Sequence, residues 1–167
     1  MPSRLCITRA IRIGVLGCLA LLAFARPAAA DLTAFLGLTS TPEKRSARGL
    51  SVGVGLLIVG FEFEYATTRE DDMKDLPGLR TWSGNVLLQT PTEVSGVQLY
   101  ATGGAGIYTE ALLDVSETNA AINVGGGVKI RLAGPLRLRL DYRVFRLQGA
   151  PLNPTYQRFY AGANLAF

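Results

Sequence analysis

The ionisable residues that could do chemistry stand at alternate positions. Glu62 and Glu64 flank Phe63; Arg137, Arg139, Asp141 and Arg143 take every second place from 137 to 143; Lys129 and Arg131 repeat the spacing just before them. Such rows suit ion pairing, because the planar arginine fork can hold two carboxylates at once. They suit catalysis poorly. Histidine is absent from all 167 residues, which removes the usual general base at neutral pH, the commonest metal ligand and every Ser-His or Cys-His nucleophile pair. A carboxylate pair or a Ser-Lys arrangement remains in principle, yet no positioned trio is visible. The glycine clusters at 103–106 and 125–127 lack the Gly-Lys-Ser/Thr ending and the following helix of a phosphate-binding loop.

The elements that must position these rows are strands. Leu136 to Val144 alternates apolar with charged residues for nine positions, and Gly60 to Tyr65 does so with acids, a period of two that no helix shares. The pattern predicts eight strands at 31–40, 48–57, 60–69, 79–90, 97–111, 119–132, 136–147 and 156–167. Connections of polar residues at 41–47, 70–78, 112–118 and 148–155 alternate with shorter ones at 57–60, 91–96 and 133–135. Nearly half of the residues are apolar and 18% are charged, which excludes a disordered or nucleic-acid-coating chain.

Residues 1–30 read as a cleaved secretory signal peptide. Arg4, Arg9 and Arg12 form a basic n-region, Ile13 to Phe24 an apolar run too short to span a membrane as a helix, and Ala28-Ala29-Ala30 an A-x-A site before Asp31. The segment carries four of the 17 basic residues (Arg4, Arg9, Arg12, Arg26) and none of the 13 acidic ones, so residues 31–167 hold thirteen of each. The alkaline pI then belongs mostly to the signal, and the electrostatic case for nucleic-acid binding loses its premise. Cys6 and Cys18, both cysteines of the chain, leave with it.

One face of the later strands is oily, with Leu138, Leu140 and Tyr142 on the seventh and Ile122, Val124 and Val128 on the sixth. The other face is polar or small. A soluble sandwich could show the same alternation. The chain ends, however, on Tyr160-Ala161-Gly162-Ala163-Asn164-Leu165-Ala166-Phe167, an alternating strand with a final aromatic residue. Together with the export signal, the alternating connections, Tyr100 to Gly106, Gly125 to Lys129 and Leu138 to Arg143, it makes residues 31–167 resemble the small eight-stranded OmpA/OmpX-like outer-membrane barrels. The resemblance implies an all-β, antiparallel, up-and-down transmembrane barrel of a Gram-negative outer membrane. It also implies that Tyr160, Gly162, Leu165 and Phe167 form the signal read by the barrel-insertion machinery. The sequence given stops at the barrel, so the peptidoglycan-binding role of longer OmpA-type proteins is not carried over.

An eight-stranded barrel is just wide enough to be filled by side chains. Facing each other across it, the third and seventh strands are expected to bring Glu62, Glu64 and Asp141 into one ion-pair network with Arg137, Arg139, Arg143, Lys129 and Arg131. Gly53, Gly55, Gly104, Gly106, Gly125 and Gly127 would either make room for these side chains or serve strand curvature and packing. Phe61, Phe167, Trp82, Tyr156 and Phe159 are expected in interfacial girdles.

These readings imply a non-enzymatic, monomeric barrel with a structural or surface-interaction role. Its expected partners are outer-membrane lipid and lipopolysaccharide, with no cofactor, no metal and no nucleic acid. The polar connections, among them Pro42-Glu43-Lys44-Arg45 and Glu117-Thr118-Asn119, would face outside. The acidic cluster Glu70, Asp71, Asp72 and Asp75 reads first as a solvated loop and second as a site for divalent cations bridging lipopolysaccharide. The alternatives are a narrow pore, a small-molecule-binding barrel and a lipid-modifying enzyme.

Overall fold

The computed structural model describes residues 29–40, 43–70, 76–112, 115–151 and 153–167. Eight antiparallel strands pair in chain order: β1 (Ala29–Thr39), β2 (Arg45–Leu56), β3 (Val59–Thr68), β4 (Gly78–Gln89), β5 (Val97–Leu112), β6 (Val115–Ala133), β7 (Leu136–Leu147) and β8 (Thr155–Ala166). β8 returns to β1, from Asp31 opposite Ala166 to Thr39 opposite Arg158, so each strand has two partners and the sheet closes into a barrel. Closure satisfies backbone groups along both sides of every strand.

Turn chemistry sets the strand ends. At the short-turn end β2 and β3 are joined by Leu57 and Ile58, with Leu57 at φ 54. Ser95 and Gly96, at φ 55 and 79, form the tip of a tight hairpin bridged between Val94 and Val97 before β5. Gly134, at φ 53, precedes Pro135 between β6 and β7. Seven of the expected strands lie within three residues of those observed, but β6 begins at Val115 and not near 119. Glu117-Thr118-Asn119, expected in a loop, is therefore paired with Glu110, Thr109 and Tyr108. A hydrogen bond of 2.8 Å between the Thr109 and Thr118 hydroxyls spans the two strands there. Polarity at this point belongs to a continuing strand and does not mark its end. Arg45, also expected in a loop, opens β2 and donates to the carbonyl oxygens of Arg69 and Pro77.

The two faces are sorted by polarity in the sense opposite to a water-soluble fold. Leu36 is 71% exposed and Val124 64% on the outer wall, whereas Arg139, Arg143 and Arg158 are 0% exposed inside. Phe61, Trp82, Phe159 and Phe167 stand on the outer wall as expected for girdles. Tyr156 does not: it shares the parity of Arg158 and Tyr160 on β8, points inward, and stacks on Phe145 with ring centroids 4.6 Å apart. Of the expected signal peptide, residues 1–28 lie outside the described residues, while Ala29 and Ala30 pair with Gly55 and Val54 in β1. Among the described residues no helix is long and apolar enough to cross a membrane, which leaves crossing by strands untouched.

Candidate functional site

The lumen is layered from one end to the other. Nearest the long-loop end lies an apolar plug of Leu79, Tyr108, Ala121, Phe145, Leu147 and Tyr156. Below it, β3, β7 and β8 place three carboxylates and three guanidinium groups within reach of one another, because inward positions recur every second residue along each strand. Arg143 is the hub. Its Nη2 donates to Glu62 at 2.7 Å, its Nε to Asp141 at 2.9 Å, and its Nη1 lies 3.1 Å from Glu64. Arg139 bonds Glu62 through both terminal nitrogens and Asp141 at 3.1 Å. Arg158 meets Glu64 at 3.0 Å and donates to Thr81 at 3.1 Å. Three positive and three negative charges balance, which is the condition for holding ions away from water.

Neutral groups complete the shell. Ser51 donates to Glu62 at 3.1 Å, and Tyr160 donates to Glu64 at 3.3 Å while accepting from Arg143 at 3.2 Å. The Tyr100 hydroxyl donates to Asp141 and accepts from Arg139 Nε at 2.7 Å. The Arg139 guanidinium lies 4.8 Å from the Tyr100 ring centroid and that of Arg158 lies 4.7 Å from Phe145, so aromatic faces cover the cations where carboxylates do not. Two inward glycines supply the space. A Cβ on Gly125 would stand 2.2 Å from the Tyr142 carbonyl oxygen and 2.8 Å from Arg143 Cγ, and one on Gly127 would stand 2.2 Å from the Leu140 carbonyl oxygen and 2.5 Å from the Tyr100 hydroxyl, so both glycines serve close strand packing as well as room for the side chains.

Five of the eight residues expected in one network are brought together: Glu62, Glu64, Arg139, Asp141 and Arg143. Three stand apart, for reasons of height. Counted from their short turns, Glu62 on β3 and Arg139 on β7 are level, which leaves Arg137 one inward step lower, at the mouth. There Arg137 pairs with Glu93 at 2.9 Å, and Arg131 pairs with the same carboxylate at 2.5 Å. Arg131 sits where the β6–β7 register shifts, and more than half of its side chain is in solvent. Lys129 is buried but pairs with Asp31 at 2.5 Å on the lumen floor. Alternation along β8 puts Arg158 and Tyr160 on the inward face, but their partnership with Glu64 across the lumen depends on the strand heights, and the roles of Tyr100, Asp31 and Glu93 carry no comparable signal in the sequence.

Of the residues assigned to barrel insertion, Tyr160 and Gly162 face inward, whereas Leu165 and Phe167 stand on the outer wall at the short-turn end. Asp71, Asp72 and Asp75 of the acidic cluster lie outside the described residues. Chemically, the mid-lumen carboxylates are all held by guanidinium groups, and the serines beside them, Ser51 next to Glu62 and Ser83 opposite Glu64, are buried with them.

No protein-family profile and no curated protein matches the chain. Solved structures do. Neisserial surface protein A, NspA, superposes with a TM-score of 0.68 at 15% identity, covering 86% of this chain and 99% of its own. The N-terminal β-barrel domain of OprF from Pseudomonas aeruginosa gives 0.65 at 14%, covering 83% and 97%. The outer membrane enzyme PagL gives 0.53 at 12%, covering 81% and 98%. This chain thus shares the all-β fold of small eight-stranded outer-membrane barrels.

Proposed function

We propose that the protein is a non-enzymatic β-barrel of a bacterial outer membrane, with a structural or surface-interaction role. In this reading it is exported by a signal peptide over residues 1–30 and works as a monomer. The observation that carries the reading is the sorting of polarity: a neutral, fully buried set of ions inside, and an outer wall of leucine, valine and aromatic residues. Such a wall is favourable only against an apolar solvent. The side of the long connections faces the exterior, and both ends of the described chain lie at the short-turn side.

A fold shared with PagL leaves room for an enzyme, but the chemistry of this chain supports the other reading. There is no histidine, and the central carboxylates are neutralised by arginine. The plug of Tyr108, Phe145 and Tyr156 above the ions supports a filled barrel over a narrow pore. Leu165 and Phe167, exposed at the end of β8, are proposed as the surface offered to the insertion machinery.

The test is gel mobility of the protein folded in detergent, with and without heating, paired with outer-membrane fractionation. A heat-dependent shift and recovery with the outer membrane are expected. A heat-insensitive band in a soluble fraction would overturn the reading, and activity in phospholipid-hydrolysis or lipid A acylation assays would overturn its non-enzymatic part.

A further inference from the structure

The outer wall between β7 and β3 carries a groove of about 870 Å³. Its floor is built of small residues, Ala34, Ala161 and Ala163, its sides of Leu138 and Leu50, and Leu36 stands up from it between Ala161 and Arg48. Four inter-strand spacings of about 4.8 Å separate β7 from β3, so the groove runs roughly 19 Å around the wall, wider than one acyl chain. Arg48 and Thr67 line it as well.

Register shows what stands there. Arg48, Thr67 and Arg80 lie side by side on β2, β3 and β4. One outward step nearer the middle, Leu50, Tyr65 and Trp82 form the next row, with the Tyr65 and Trp82 ring centroids 4.2 Å apart. Tyrosine and tryptophan collect at the level of lipid head groups, and arginines just beyond them meet phosphates. Arg48 and Arg80 are both exposed, and among the described residues neither has an ion-pair partner. The two are about 9.6 Å apart along the sheet, two strand spacings, so each can address its own anionic group.

We propose that this groove and its arginine row form a docking site for a phosphorylated lipid with several acyl chains, the lipid A part of lipopolysaccharide in the outer leaflet. The alanine floor takes chains on either side of Leu36, and Arg48 and Arg80, with the Thr67 hydroxyl between them, take the phosphorylated head group. The site rests on the membrane reading above.

Trp82 is the single tryptophan of the chain and belongs to the row beside the arginines, so its fluorescence reports on this wall. The protein is folded into vesicles of dibrominated phosphatidylcholine, which quench it, and non-brominated lipids are titrated in. Lipid A is expected to restore fluorescence at a mole fraction about tenfold below that needed with non-brominated phosphatidylcholine. Phosphatidylglycerol, with one phosphate and two chains, should show only a small part of this advantage. The double variant Arg48→Gln/Arg80→Gln should lose most of it, and Ala163→Leu, which fills the floor without touching charge, should reduce it. Lipid A no better than phosphatidylcholine, phosphatidylglycerol as good as lipid A, or a double variant with undiminished preference would each overturn the site. Trp82 unquenched by any brominated lipid would instead overturn the membrane reading beneath it.

Discussion

At mid-lumen Arg143 is fully buried and reaches Glu62, Glu64 and Asp141, while at the short-turn mouth Arg131 meets Glu93 at 2.5 Å with more than half of its side chain in solvent. The residue types are the same and the distances similar. What differs is the solvent. Inside, each ion depends on its partners, because water cannot replace one that is lost; at the mouth, water and salt can. Contact distance alone therefore says little about what an ion pair contributes.

Removing one partner in each place separates the two regions. Glu62→Gln takes a carboxylate from both Arg139 and Arg143 and leaves a net buried charge, so it should cost about 3–5 kcal/mol. The check is the urea midpoint of the heat-modifiable band in vesicles. Packing gives the next contrast. Gly127→Ala places a methyl group against the Leu140 carbonyl oxygen and the Tyr100 hydroxyl and should cost about 1–3 kcal/mol, whereas Gly84→Ala on the outer wall meets nothing within 4 Å and should leave the same midpoint within about 0.5 kcal/mol. Smallest is Glu93→Gln at the mouth. It should cost less than about 1 kcal/mol, and that difference should shrink as salt is raised, unlike the Glu62→Gln difference. Equal losses for Glu62→Gln and Glu93→Gln would break the comparison.

The strands were legible because the alternation repeats over many residues and is broken by Gly, Pro and polar clusters, as at Gly134-Pro135. The start of β6 is not legible in the same way, because Ser116 to Asn119 look like a loop when composition is read without the partner strand that holds them. For the ion network, parity identified which residues face inward. Height decided which of them meet, and height depends on where each short turn falls. Arg137 stands one inward step lower and Arg131 lies at a register shift, and both so belong to the mouth. Glu93, in a turn with no alternation, gave no sign of its two arginines.

In a lipid bilayer the oily rows of this barrel face the acyl chains while the ions face one another. Nitroxide labels at Leu36 and Val124, introduced through single cysteines in residues 31–167 and studied in vesicles, test it most directly. Frequent collisions with dissolved oxygen and few with a water-soluble nickel chelate are expected at both positions. Strong relaxation by the nickel chelate, with little by oxygen, would place those side chains in water and contradict it.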